Sequence, residues 1–149
     1  MKKILFVCHG NICRSPMAEF LMKDFLEKKG VSRDYLVESM ATSTEELGNP
    51  VHYGTARILD KLNINYFSKR AVQVKKSDYE KYDYILVMDN LNLRNIMRIF
   101  GEDPQNKVKL LLSYSPNPRS VADPYYTGDF NATYRDIVEG IECFYEQIK

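Results

Sequence analysis

Apolar positions along this chain alternate between short unbroken runs and helical stripes. Lys3–Cys8 contains the run Ile4-Leu5-Phe6-Val7 and reads as a strand buried on both faces. Met17, Leu21 and Phe25 recur four apart and predict an amphipathic helix over Met17–Lys29, stopped by Lys28-Lys29-Gly30. Tyr35–Met40 reads as a second strand. Val51, Thr55, Ile58, Leu59 and Leu62 share one face of a helix over Val51–Leu62. Lys76–Tyr82 suits a short helix and Tyr84–Met88 a buried strand. Leu93, Ile96, Met97 and Phe100 mark a helix over Asn92–Phe100, and Val108–Leu112 is a fourth strand. A long loop, Ser113–Asp129, carries prolines at 116, 118 and 124. Loops of that length in a compact chain are often functional. Phe130, Tyr134, Ile137, Val138, Ile141, Tyr145 and Ile148 trace a stripe on a closing helix.

Strands that alternate with helices and read as apolar runs predict an α/β fold: a parallel sheet with helices on both faces. Such sheets bind ligands beyond the carboxyl ends of their strands, near a switch in strand order. The length, 149 residues, suits one domain over 1–149 with a core of useful size. A net charge of +1 supplies no footprint for nucleic acid, and no apolar run is long enough to span a membrane. Met1-Lys2-Lys3 precedes an apolar run too short for a signal peptide, with no small-residue cleavage site after it. Three cysteines, Cys8, Cys13 and Cys143, do not make a disulfide framework and fit a reducing cytoplasm. The only histidines, His9 and His52, form no metal-ligand spacing with them, so neither metal nor other cofactor is expected.

The chemistry concentrates in Val7-Cys8-His9-Gly10-Asn11-Ile12-Cys13-Arg14-Ser15-Pro16. A cysteine ends the first strand, and an arginine stands where a helix begins. Pro16 suits a first helical turn. A loop of this shape can aim successive backbone N–H groups at one point, and the helix start adds positive partial charge there. The result is a site for a dianionic oxyanion with a sulfur nucleophile at its base. The same field favours the thiolate. Arg14 supplies a planar fork for two phosphate oxygens.

The spacing C-x5-R-S resembles the protein tyrosine phosphatases. C-H-G-N-I-C-R-S-P at the extreme N-terminus resembles their low-molecular-weight branch. The resemblance covers essentially the whole chain and implies a four-stranded sheet in the order 2-1-3-4. It implies a phosphotyrosine-containing protein or peptide as substrate, and inorganic phosphate as product and inhibitor. It also implies a single-chain enzyme acting through a cysteinyl-phosphate.

Expelling the leaving oxygen needs a proton donor. Asp123-Pro124-Tyr125-Tyr126 resembles the family's general-acid motif, although an Asp-Pro pair alone marks only a turn. Tyr125 and Tyr126 would wall a slot for an aromatic ring, Tyr125 more than Tyr126. His9, Gly10, Asn11, Ile12, Cys13 and Ser15 complete the loop around the substrate. Ile12 is apolar where phosphoarginine phosphatases carry Thr, which favours a phenyl ring. His9 stands beside the nucleophile, either to act when protonated, by binding an anionic substrate or shifting the Cys8 pKa, or to sit idle in solvent. Asn11 suits a left-handed turn, and the family pattern pairs it with Ser39; Ser15 can donate to Cys8 or cap the helix. Glu45 occupies a position where many relatives have an aromatic residue, and Lys69 one where they have a structural His. Relatives with this C-x4-C pair form a Cys8–Cys13 disulfide under oxidation, while Cys143 reads as packing. Two other classes compete. An arsenate reductase shares the loop but needs further cysteines for a disulfide relay, and a phosphate-binding module needs no Asp123.

Overall fold

The computed structural model describes residues Met1–Lys149. The central apolar run becomes β1 (Lys2–Cys8), with Ile4, Leu5, Phe6 and Val7 wholly buried. It pairs in parallel with β2 (Tyr35–Ala41) on one side and β3 (Tyr84–Val87) on the other. β4 (Val108–Leu110) pairs outside β3, which gives the order β2-β1-β3-β4 that the resemblance implied. Side-chain alternation along β1 splits the core into two layers. Ile4, Phe6 and Cys8 face α1 (Arg14–Lys28), α2 (Tyr53–Lys61) and the closing helix. Leu5 and Val7 face α3 (Asn90–Phe100) through Ile96 and Phe100. A four-residue helix, α4 (Pro124–Thr127), and α5 (Phe130–Ile148) complete the chain.

The expected elements are all present, with shifted ends. α1 begins at Arg14 rather than Met17, so Pro16 lies inside its first turn. Every residue from Asn11 to Met22 is buried, because the start of α1 is wedged among the sheet, α2 and α5. The amphipathic stripe describes only its second half. α2 starts after His52, which caps it, so Val51 lies before the helix. Lys76–Lys81 is a 3-10 turn. The fourth strand ends at Leu110, and Leu111–Tyr114 turns as a 3-10 helix. A continued strand would aim Leu111 and Leu112 at opposite faces; the turn buries both. It packs close against α5 at Gly140, where a Cβ would come within 2.5 Å of Leu111 Cγ. The long loop also contains α4, with Asp123 at its N-cap and Pro124 at its first position.

β1 and β3 are neighbours, yet the chain leaves β1 for β2, so the strand order switches at the carboxyl end of β1. Cys8 sits there. Val7 is level with Val87, which brings Asp89 beside the Cys8 loop.

Candidate active site

The loop after β1 is held from outside by its carbonyls. Cys8 O accepts from Thr42 N, His9 O from Ser43 N and its hydroxyl, Ile12 O from His52 N, and Cys13 O from the Thr55 hydroxyl and Met17 N. With the carbonyls tied outward, the loop's N–H groups turn inward. Asn11 N–H donates to Cys8 Sγ at 3.3 Å. Asn11 lies at φ 60°, a left-handed conformation that Asn tolerates better than most residues. Its side chain then spends all its hydrogen-bonding groups inside the protein. Nδ2 donates to Ser15 Oγ at 2.7 Å and to Ser39 Oγ at 2.9 Å, and Oδ1 accepts from Val72 N at 3.2 Å. Ser15 Oγ lies 3.0 Å from Cys8 Sγ. Because Asn11 donates into Ser15 Oγ, the serine's own proton is free to point at the sulfur. Ser15 is therefore not the helix cap: Cys13 occupies that position, with no side-chain cap bond. The first N–H groups of α1 stay open toward an anion.

The network continues away from the sulfur. Ser39 Oγ donates to Glu19 Oε1 at 2.6 Å, and Lys69 Nζ donates to Ser39 O at 2.7 Å. Lys69 Nζ also lies 3.7 Å from Glu19 Oε1. The lysine thus braces the loop's support. Burial pulls the Lys69 ammonium below its ordinary value of 10.5, and Glu19 opposes that shift.

Arg14 is 2% exposed. Its Nη1 donates to Asp89 Oδ2 at 2.7 Å and to Val121 O at 2.8 Å, and Nη2 lies 3.4 Å from Asp123 Oδ2. Nη1 is thereby committed to positioning, which leaves Nε and Nη2 as the edge for a bidentate oxyanion contact. Burial works against the guanidinium charge, but Cys8, Asp89 and Asp123 outweigh it and hold Arg14 protonated above its ordinary value. Asp89 serves two masters: Oδ1 accepts from Asn92 N and caps α3, and Oδ2 holds Arg14.

Asp123 reaches the site from α4. Its Oδ1 accepts from Tyr125 N at 3.0 Å, which leaves Oδ2 facing Arg14 and the cavity. That cavity, about 180 Å³, is lined by Cys8, His9, Gly10, Ile12, Cys13, Arg14, Asp123, Tyr125 and Tyr126, with Glu45 and Glu46 at its rim. Tyr125 and Tyr126 are 60% and 81% exposed, so they form the outer lip rather than a deep wall. His9 lies at the cavity with its Nε2 2.8 Å from Glu45 Oε2. Cys13 is buried among Ile12 and Ala71, and burial, aided by Cys8, pushes its thiol up to about 12. Asn11, Ser15 and Ser39 line no part of the cavity and act behind it.

Two side chains that support the site escaped the sequence reading: Asp89 and Glu19. Asp89 had a signal, since it follows a buried strand and precedes Asn92 by three residues in a capping-box spacing. Glu19 had only its place between Ala18 and Phe20, inside an otherwise apolar turn.

A strand-end cysteine, a buried guanidinium and a carboxylate share one small cavity at a strand-order switch, an arrangement suited to a cysteine-dependent phosphatase. The comparisons with known proteins agree with that class. Residues 3–149 match the family model described as low molecular weight phosphotyrosine protein phosphatase. The low molecular weight protein-tyrosine-phosphatase YfkJ of Bacillus subtilis is 38% identical over 144 residues, covering 95% of this chain and 92% of that one. Its crystal structure superposes with a TM-score of 0.95 at 37% identity, over 99% of this chain and 94% of that one. The Homo sapiens low molecular weight phosphotyrosine protein phosphatase is 38% identical over 98% of this chain and 95% of its own. A Drosophila arginine phosphatase shares the fold at a TM-score of 0.88 and 31% identity, over 100% of this chain and 98% of that one. This chain belongs to the low-molecular-weight phosphotyrosine protein phosphatases and is an enzyme of that class.

Proposed function

We propose that the protein hydrolyses phosphotyrosine in peptides and proteins by a double displacement. Cys8 Sγ attacks phosphorus in line, and the tyrosine oxygen leaves with a proton from Asp123. The Asp123 carboxylate then takes a proton from water as the water attacks the cysteinyl-phosphate. That step releases inorganic phosphate and regenerates the thiolate. Arg14 and the loop N–H groups stabilise the equatorial oxygens in both steps. Phosphate itself, presenting the same oxygens, competes for the loop as an inhibitor. One observation carries this reading: Asp123, more than a hundred residues away in sequence, joins Cys8 and Arg14 on one 180 Å³ cavity.

Ile12 lines that cavity, and its apolar side chain favours a phenyl ring over a guanidinium. The arsenate-reductase alternative has little support, since Cys143 is no part of the cavity and Cys13 is the single other thiol on it. A mere phosphate binder would not place Asp123 beside Arg14. The enzyme acts as a monomer and a single domain over 1–149, in the reducing cytoplasm that suits three free cysteines. No helix is long and apolar enough to cross a membrane. Under peroxide, Cys8 forms a sulfenic acid, and Cys13 condenses with it to a disulfide, releasing water.

The test is steady turnover of phosphotyrosine peptides without added thiol or arsenate, with rapid acid quench to trap phosphate on Cys8. Equal turnover of phosphoserine peptides, or no phosphocysteine during turnover, overturns the reading.

A further inference from the structure

Beyond Tyr125 lies a second depression of about 580 Å³. Tyr125 is the wall it shares with the catalytic cavity. Its other sides are His52 and Tyr53 at the start of α2, Arg57 and Lys61 further along that helix, and Phe130 at the start of α5. This floor is built. His52 stacks on Tyr53 at 4.3 Å and on Phe130 at 5.2 Å, and meets Tyr125 edge-on at 6.2 Å. Phe130 lies so close over Gly54 that a Cβ there would come within 2.5 Å of the ring. His52 N–H also donates to Ile12 O, which ties this floor to the nucleophile loop.

Arg57 and Lys61 are one turn apart on one face of α2. Both are exposed, and neither takes part in any ion pair of the molecule. The one carboxylate in the groove, Asp129, uses Oδ1 to accept from Ala132 N at the start of α5. The groove is thus a basic slot with aromatic walls. Glu45 and Glu46 line the catalytic cavity and no part of this groove. A chain crossing Tyr125 therefore passes from an acidic rim to a basic slot.

We propose that this groove is a second substrate subsite, which takes an acidic residue flanking the phosphotyrosine, with Arg57 and Lys61 supplying the charge. The proposal rests on the phosphotyrosine reading above. Tyr53 and Tyr125, both well exposed, offer ring faces to the substrate main chain. Surface charge pairs are individually weak, so the two cations together favour a flanking carboxylate roughly three- to tenfold in kcat/KM. The preference resides mainly in KM and fades at high salt.

The test compares phosphotyrosine peptides of matched length in which one Asp or one Lys is walked along each flank. The parent enzyme prefers Asp at one or two positions of one flank. Arg57→Glu with Lys61→Glu reverses that preference there and leaves kcat/KM for p-nitrophenyl phosphate unchanged. Two outcomes overturn the subsite: a parent blind to flanking charge, or a double variant that keeps the parent's preference. Turnover of p-nitrophenyl phosphate and free phosphotyrosine reports separately on the catalytic reading, because neither compound reaches the groove.

Discussion

Between Cys8 and Ser15 the polar anchors are buried hydrogen bonds, whereas between Ser113 and Asp129 charge at the surface carries much of the load. Asn11, Ser15 and Ser39 are each 1% exposed or less, and their mutual bonds hold the sulfur from behind. On the acid side, Arg119 bonds Asp136 at 2.7 Å and Glu139 at 3.0 Å on α5, and the Ser115 hydroxyl also donates to Glu139. Inside, this loop is pinned at Val121, through Met88 O and Arg14, and more weakly at Ala122, whose carbonyl accepts from the Thr133 hydroxyl. Neutral buried bonds lose a full desolvation penalty when one partner goes. Exposed ion pairs lose little, because water replaces the partner. The sulfur proposed to attack is held by the first kind of support alone, whereas the loop that carries Asp123 has the second kind as well as its buried anchor at Val121. Arg14 joins them, buried yet in contact with both.

The largest effects lie on the buried side. Cys8→Ser removes turnover to background, since a hydroxyl is scarcely ionised at neutral pH. Arg14→Lys costs roughly 10²- to 10³-fold in kcat, because an ammonium cannot hold Asp89 and two oxyanion atoms together. Steady-state kinetics on phosphotyrosine checks both. Activity near the parent's in either variant removes the contrast at its source.

Asp123→Asn comes next, with a loss of roughly 10²-fold on phenyl phosphate. The deficit shrinks as the leaving group becomes more acidic and departs without a proton. A deficit that ignores leaving-group acidity would strip Asp123 of its donor role. Asn11→Ala ranks third for rate and first for stability. It leaves Ser39, Ser15 and Val72 N each short of a partner and puts Ala at φ 60°, costing about 1–3 kcal/mol or more in denaturant unfolding. Its kcat falls more than its KM rises, because the loop that meets the transition state is loosened. Ser39→Ala, which keeps the backbone, gives a smaller loss of the same kind; unchanged kcat in both would show that the network is idle.

The asymmetry also explains what the sequence disclosed. The nucleophile loop is contiguous, so one decapeptide displays the sulfur, the left-handed Asn and the guanidinium, and the apolar runs place it at a strand end. The parallel sheet and closing helix were legible for the same local reason. The support of Arg14 was not, because Asp89 and Val121 lie 75 and 107 residues away and meet it only when β3 and the long loop close on β1. Glu19 was hidden because burial of the whole start of α1 depends on α2 and α5 together. Strand and helix ends shifted where caps or paired leucines overrode periodicity, as at His52 and Leu111. The partner of His9 lies in a loop whose course no apolar pattern dictates.

The smallest effect belongs to the surface side and shows in acid. Arg119, then Ser115, hold the Glu139 carboxyl down to about 2 from an ordinary 4.5. A depressed carboxyl contributes stability that is complete above its unfolded value and lost as pH falls through the folded one. The Arg119–Glu139 contact therefore supports the acid loop in full above pH 4.5 and progressively less toward pH 2. Glu139→Gln flattens that part of the stability–pH curve: it costs a little stability near pH 7, small as for other exposed pairs, and the gap to the parent closes toward pH 2. Thermal midpoints of parent and variant across that acid range check it. Salt screens the same contact, so added salt narrows the gap between them above pH 4.5. The kcat of Glu139→Gln on p-nitrophenyl phosphate near neutrality stays close to the parent's, since Val121 still pins the loop to Arg14. A fall in kcat as large as that of Asn11→Ala would mean that the ion pair, not Val121, positions Asp123, and the contrast between the two loops would disappear.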